Sequence, residues 1–356
     1  MFDTSVDLRI EKVEPLISPQ ELGESLPIDE ALRSSIRKMR EDVNNIIKGK
    51  DKRLLAIIGP CSIHDVDAAI DYAKKLKALA EEVEDQLVVV MRTYFEKPRT
   101  IGGWKGLIID PRMDGSYDIT EGLKRARKLL ISITTLGLPV GAEMLDPIVP
   151  QYIDETLSWC SIGARTTESQ VHRTLASGMS VPVGFKNSTS GEVSTAINAI
   201  KSASLSAAFI GIDKLGSSAI YRTKGNDAGH LILRGGDNGP NYYDEEVEDA
   251  IISMKEIGVR PSIIIDCSHA NSRKNYKRQE RILNTVIDQV VRGRDEIRGF
   301  MIESNLFEGC QSITEENKEL LYGVSVTDAC LGWSDTERAI KSITHMLRNK
   351  ETYRRV

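Results

Sequence analysis

Eight short apolar runs recur along this chain, and each ends at, or within a few residues of, a charged or metal-ligating side chain. LLAII leads to Cys61 and LVVVM ends at Arg92, while PVGA ends at Glu143 and WCSIGA at Arg165. VPVGF ends at Lys186, HLIL at Arg234, SIIIDCS at His269 and RGFMI at Glu303. Such runs read as strands buried on both faces, as in a parallel sheet. Between them lie the amphipathic segments VDAAIDYAKKLKALAEEV, TEGLKRARKLLISITTLG and EEVEDAIISMKEIG, two of which close on Gly as helix C-termini often do. Alternating strand and helix defines the α/β class. If the eight runs close into a (β/α)8 TIM barrel, their C-terminal ends meet on one face, where barrel enzymes of this kind hold their active sites. An open doubly wound sheet is the rival fold, because strand order is not legible in a sequence.

At 356 residues the chain suits one barrel of roughly 250 residues with extensions. Residues 1–52, with the helical pattern IDEALRSSIRKMREDVNNIIKGK, read as an N-terminal extension for oligomerisation and regulation, and 53–356 as the catalytic barrel. The strand–helix spacing breaks twice. Residues 93–119 form a long connection of the kind that is usually functional, and 207–224, around AFIGIDKLGSSAIYRT, read as an inserted β-hairpin turning near Gly216. With 47 Lys+Arg against 52 Asp+Glu, the net charge is −5, and no basic block is interleaved with aromatics, which argues against nucleic acid as a partner. No signal-like start and no apolar stretch near a membrane span is visible, so a cytoplasmic protein is expected. Cys61, Cys160, Cys267, Cys310 and Cys330 are odd in number and form no close pair, which argues for reduced thiols over a disulfide framework or zinc ribbon.

Cys61 follows the first run in GPCSIHD, where Gly59 and Pro60 turn the backbone sharply and could expose the thiol, although taken alone it reads as a structural thiol. His269 in DCSHANS and Glu303 in MIES end the last two runs, and Asp328 follows in SVTDAC. Together they make a mixed thiolate, imidazole and carboxylate set, suited to Mn²⁺, Fe²⁺, Co²⁺ or Zn²⁺ better than to Ca²⁺. His64 competes as a ligand, although its SIHDVD context also reads as a helix start capped by Asp65. Arg165, Lys186 and Arg234 end three consecutive runs and can hold a phosphate together with backbone N–H groups around Gly163 and Ala164. RTYFEKPRTIGGWKG concentrates Arg92, Lys97, Arg99 and Lys105, and reads either as a solvated loop or as a lid over a second anion. RGGDNG at 234–239 lacks the helix start that would make it a nucleotide fingerprint.

Taken together, GPCSIHD, YFEKPRT, GWKGLI, IGARTTESQ, PVGFKN, ILRGG, DCSHANS and VTDAC resemble the type I 3-deoxy-D-arabino-heptulosonate-7-phosphate synthases over roughly residues 53–335. That family condenses phosphoenolpyruvate with erythrose 4-phosphate as the first step of the shikimate route to aromatic amino acids. The resemblance implies Cys61, His269, Glu303 and Asp328 as ligands of a divalent metal, with His269 also counted as catalytic. It implies Arg92 and Lys97 at the phosphoenolpyruvate carboxylate, and Arg165, Lys186, Arg234 and the Ala164 amide at its phosphate. Lys97, Pro98, Arg99, Thr100 and Asp328 would meet erythrose 4-phosphate, and Glu143 would lie near the reacting carbon.

The family also has isoforms inhibited by tyrosine, phenylalanine or tryptophan. Pro150, Gln151, Met179, Ser180, Phe209 and Gly211 match the usual lining of the inhibitor cavity, with Asp7 reaching in from a neighbouring subunit. Gly211 resembles the tyrosine-sensitive branch, where the phenylalanine-sensitive branch tends to carry Ser, so tyrosine is the favoured inhibitor and phenylalanine the next. Family members are usually homodimers or homotetramers. The nearest rival, 3-deoxy-D-manno-octulosonate-8-phosphate synthase, typically has Asn-Arg-Ser where this chain has KPRT at 97–100. A metal-dependent sugar-phosphate aldolase would need one anion site, and a silent barrel that senses an amino acid would not need the metal ligands.

Overall fold

The structure is a computed structural model and describes residues 7–98, 102–313 and 319–350. Two helices, α1 (Pro19–Ser25) and α2 (Glu30–Ile47), precede β1 (Leu54–Gly59), α3 (Val66–Val83) and β2 (Leu87–Arg92). Then come α4 (Ile119–Thr135), β3 (Val140–Glu143), α5 (Pro150–Ile153), β4 (Trp159–Ile162), α6 (Gln170–Ala176), β5 (Val183–Lys186) and α7 (Ser194–Ala203). A hairpin of β6 (Ala208–Ile212) and β7 (Ser218–Arg222) follows, and after it β8 (His230–Leu233), α8 (Asp244–Glu256), β9 (Ile263–Asp266), α9 (Gln279–Arg292), β10 (Ile297–Glu303) and α10 (Trp333–Arg348). The order β1-β2-β3-β4-β5-β8-β9-β10 closes on itself, which decides for the barrel over the open sheet. Every pairing within it is parallel. The eight apolar runs are its eight strands.

Strand periodicity divides the core in two. Leu54, Ala56 and Ile58 pack outward against the helices, whereas Leu55 and Ile57 join Val88, Val90, Ile232, Ile264 and Met301 inside the barrel. The same inner cluster contains Val43, Ile46 and Ile47, so α2 lies across the N-terminal mouth and seals it. Its start is fixed by Asp29, which accepts from the Leu32 N–H at 2.7 Å. Asp65 caps α3 in the same way, accepting from Ala68 N–H at 3.0 Å, which is the plain reading of the SIHDVD stretch.

The hairpin forms where expected. Asp213 accepts from Leu215 and Ser217 N–H across the turn, and Gly216 takes a positive φ of 82°. The long connection is no solvated loop. Trp104, Leu107 and Ile108 are buried, the Trp104 indole donates to the Asp110 carbonyl at 2.7 Å, and Lys97 N–H donates to the Lys105 carbonyl at 2.9 Å. Gly106 permits this fold-back, having φ 113° and no Cβ where one would lie 2.0 Å from the Phe95 carbonyl oxygen.

Candidate active site

The period of two that sends Val88, Val90, Ile264 and Met301 into the barrel also sends Arg92, Asp266 and Glu303 inward at its C-terminal end. Arg92 is fully buried, and its guanidinium lies 4.0 Å from the Tyr94 ring centre and 3.0 Å from Glu303 Oε1. Its Nη1 is buried with no hydrogen-bond partner. A buried guanidinium N–H without an acceptor is costly, and an anionic ligand would satisfy it. Lys186 Nζ, 5.3 Å from the same ring centre, donates to Glu143 Oε2 at 2.7 Å. Burial pulls the Glu143 pKa up, but Lys186 and Lys97 outweigh it and hold the carboxyl below its ordinary value. Burial likewise disfavours the Lys186 ammonium, and Glu143 reverses that, raising its pKa.

Tyr94, Lys97, Glu143 and Lys186 line a cavity of about 270 Å³ at the barrel mouth. Ala164, Arg165, Arg234, Pro98, His269 and Asp328 line it as well. Gly163 leaves the space into which Glu143 reaches, because a Cβ there would stand 2.5 Å from Glu143 Oε1. Burial and the neighbouring Arg165 push the Arg234 pKa down, as expected where two guanidinium groups crowd one site. The fold thus brings the three consecutive strand-end cations together. Arg99 and Thr100 lie outside the described residues.

Cys61, Glu303 and Asp328 each offer a ligand atom, and the three atoms lie within 4.8 Å of one another. His269 stands beside this trio, with Nε2 3.8 Å from Glu303 Oε1. Ser268 controls its tautomer. The Ser268 hydroxyl donates to Asp266 Oδ1 at 2.6 Å, so at 2.7 Å it accepts from His269 Nδ1–H, and the Nε2 lone pair is left for the site. Asp266 Oδ2, 2.8 Å from the same Nδ1, also favours a proton on that side of the ring. His269 holds a left-handed φ of 49°, a strain typical of functional positions. The expectation of an exposed thiol is corrected: Cys61 is completely buried, since Gly59 carries the chain against Arg92 and not outward. Burial and the Glu303 charge push its thiol up to about 11, while Lys97 Nζ, 3.1 Å from the sulfur, opposes them. A thiol, two carboxylates and an imidazole with a free lone pair fit a borderline divalent metal, whose charge would favour the thiolate.

The sequence reading did not single out Tyr94, Asp266, Ser268 or Lys274 for this site. Asp266 is two residues past inward-facing Ile264, and that parity is the signal that would have found it. Lys274 lines the cavity from a loop with a left-handed φ of 57°, for which the sequence carries no signal. A larger cavity of about 1020 Å³ lies between α3 and α4, and its lining mixes Asp65 and Glu121 with Lys124 and Lys128. His64 is there and not at the metal cluster.

Of the residues expected around an inhibitor, Pro150, Gln151 and Ser180 line a cavity of about 500 Å³ on the barrel flank. Met179 lines a neighbouring one of about 340 Å³ that also touches Ser180. Phe209 and Gly211 lie on β6, and Asp7 is exposed.

The model of the DAHP synthetase I family matches residues 27–341. The chain is 49% identical over 341 residues to the tyrosine-sensitive phospho-2-dehydro-3-deoxyheptonate aldolase of Salmonella typhimurium, covering 96% of each. It is 48% identical over 342 residues to the phenylalanine-sensitive enzyme of Escherichia coli, covering 96% of this chain and 97% of that one. The solved structure of the phospho-2-dehydro-3-deoxyheptonate aldolase of Francisella tularensis superposes with a TM-score of 0.93 at 45% identity, over 96% of this chain and 99% of the other. The matches span the extension, the hairpin and the strand ends alike, and the chain belongs to the DAHP synthetase I family.

Proposed function

We propose that this chain condenses phosphoenolpyruvate with D-erythrose 4-phosphate and water to give 3-deoxy-D-arabino-heptulosonate 7-phosphate and phosphate, the first step of the shikimate route. The observation that carries the reading is the buried, unpartnered Arg92 Nη1 beside the Lys186–Glu143 pair, at the mouth where the thiol and carboxylate cluster also sits. Arg92, through its unpartnered Nη1, and Lys97 bind the phosphoenolpyruvate carboxylate, and Arg165, Lys186, Arg234 and the Ala164 amide bind its phosphate. Lys97, Pro98, Arg99, Thr100 and Asp328 hold erythrose 4-phosphate with its aldehyde toward the cluster.

Cys61, His269, Glu303 and Asp328 would hold a divalent ion, Mn²⁺, Fe²⁺, Co²⁺ or Zn²⁺, which supplies Lewis acidity at the aldehyde oxygen. C3 of phosphoenolpyruvate bonds to the aldehyde carbon, leaving positive charge at C2. Glu143, kept ionised by Lys186 and Lys97, stabilises that charge and orients the water that adds at C2. The proton lost by that water balances the one gained by the aldehyde oxygen; the C2–O bond to phosphate then breaks as the C2 hydroxyl becomes a carbonyl, its proton going to the departing phosphate, which leaves into the grip of Arg165, Lys186 and Arg234. No lysine imine is formed. Phosphoenolpyruvate labelled with ¹⁸O in its C–O–P bridge should deliver the label to phosphate; label retained in the sugar product, or a borohydride-trapped lysine adduct, would overturn this course.

The enzyme acts in the cytoplasm as a homodimer or homotetramer assembled through residues 1–52. An aromatic amino acid, tyrosine before phenylalanine, inhibits it at the flank formed by Pro150, Gln151, Met179, Ser180, Phe209 and Gly211, with Asp7 supplied by the neighbouring subunit. Among the described residues no helix is long and apolar enough to cross a membrane.

A further inference from the structure

The face of the hairpin turned toward the barrel carries an aromatic side chain where an aromatic ligand would bind. β6 and β7 pair antiparallel with Phe209 opposite Tyr221 and Gly211 opposite Ala219. Strand alternation puts these four residues on one half-buried face and leaves Ile210 and Ile220 exposed on the other. The Tyr221 ring stacks on Phe209 with centroids 5.2 Å apart and planes 11° from parallel. Its Cδ2 and Cε2 stand 3.1 Å from where a Gly211 Cβ would be, so the ring fills the room that glycine leaves. Its hydroxyl lies 2.6 Å from the Ile212 carbonyl oxygen and 3.2 Å from Gln151 Oε1, one proton serving two acceptors. Gln151 in turn lines the flank cavity with Pro150 and Ser180.

A free aromatic amino acid entering this flank needs a ring to stack on, space for its own ring and a polar group for its far end. Phe209, Gly211 and Gln151 offer these three features, and Tyr221 uses all three. We propose that Tyr221 is a built-in occupant of the effector cavity: it competes with free aromatic amino acid, and the feedback response of this chain is set by how readily the side chain swings out. The inference rests on reading Pro150, Gln151, Ser180, Phe209 and Gly211 as the effector site. It also changes the meaning of Gly211, whose space accommodates the chain's own phenol ring before that of an inhibitor. An occluded site lowers apparent affinity by the fraction of molecules in which it is open.

The test titrates full-length wild type, Tyr221→Val and Tyr221→Phe with L-tyrosine and with L-phenylalanine, by calorimetry and by inhibition of phosphoenolpyruvate consumption. Valine suits a strand, so the hairpin is retained. With the stack and both hydroxyl contacts removed, Tyr221→Val should bind one of the two amino acids roughly tenfold or more tightly than wild type. Tyr221→Phe keeps the ring, tests the idea even if the valine variant misfolds, and should gain roughly threefold. Uninhibited turnover should be unchanged in both. Equal or weaker binding by the variants overturns the inference, because Tyr221 is then a wall of the site or a strut of the hairpin. The effector reading survives that outcome if Ser180→Phe abolishes binding, and it falls, taking the inference with it, if neither wild type nor variant binds either amino acid.

Discussion

Lys186 Nζ and Glu143 Oε2 lie 2.7 Å apart at the barrel mouth, with both side chains almost wholly removed from solvent. Each charge makes the other tolerable. Lys186→Met leaves the Glu143 carboxylate buried without its main partner and should destabilise the protein by about 3–5 kcal/mol, measured by chemical denaturation. The double variant Lys186→Met/Glu143→Gln should recover most of that stability and none of the activity. Recovery of turnover in the double variant would mean that the pair is structural only.

Ser268 and Asp266 both face His269 Nδ1, and with the proton held there the Nε2 lone pair is left for the site. Ser268→Ala removes one of the two groups that hold Nδ1, leaving Asp266 Oδ2, and loosens the ring, so affinity for Mn²⁺ should drop about 10-fold. Competition against a chelator reads this without relying on turnover. Unchanged affinity would show that the hydroxyl does not orient the ligand.

Gly106 lets its segment of chain pack onto the Phe95 carbonyl, with Lys97 N–H donating to the Lys105 carbonyl and Lys97 Nζ 3.1 Å from Cys61 Sγ. Gly106→Ala puts a methyl group into the Phe95 carbonyl and must move the segment. A displacement near 1 Å at Lys97 should lower kcat/KM about 100-fold, and the core should stay folded. Near-normal kcat/KM would indicate that this segment adapts freely.

His230 is fully buried in β8, where Nε2 accepts from the Trp159 indole at 2.9 Å and Nδ1 faces the Ala228 carbonyl at 3.1 Å. Burial pulls its pKa down from 6.5 to about 4, against the raising effect of the Ala228 carbonyl. Between those values the unfolded chain binds a proton that the native one does not, so stability falls as pH drops through the window, by on the order of 3 kcal/mol in all. His230→Gln should lose stability at pH 7 and show a shallower fall between pH 6.5 and 4. Parallel curves for the two proteins would contradict this.

Much of the barrel was legible because its strands are continuous apolar runs and its helices amphipathic, two periods that survive without tertiary information. Arg92, Glu143, Lys186 and Glu303 were legible for a related reason, since each ends a run, whereas Lys97 and Asp328 lie in connections and carry no such signal. Three features were not legible. The burial of Cys61 depends on Gly59 packing against the backbone of Arg92, a contact between strands distant in sequence. Sealing of the barrel floor by α2 requires knowing which mouth Val43, Ile46 and Ile47 face. The seat of Tyr221 follows from cross-strand register, which a hairpin sequence does not specify uniquely.

The central claim is that one metal-dependent site joins phosphoenolpyruvate to erythrose 4-phosphate. The most direct measurement follows phosphoenolpyruvate consumption by metal-stripped protein, with erythrose 4-phosphate or arabinose 5-phosphate, before and after adding Mn²⁺. The account predicts silence without metal and restored turnover with erythrose 4-phosphate alone; turnover in the stripped protein, or with arabinose 5-phosphate, would contradict it.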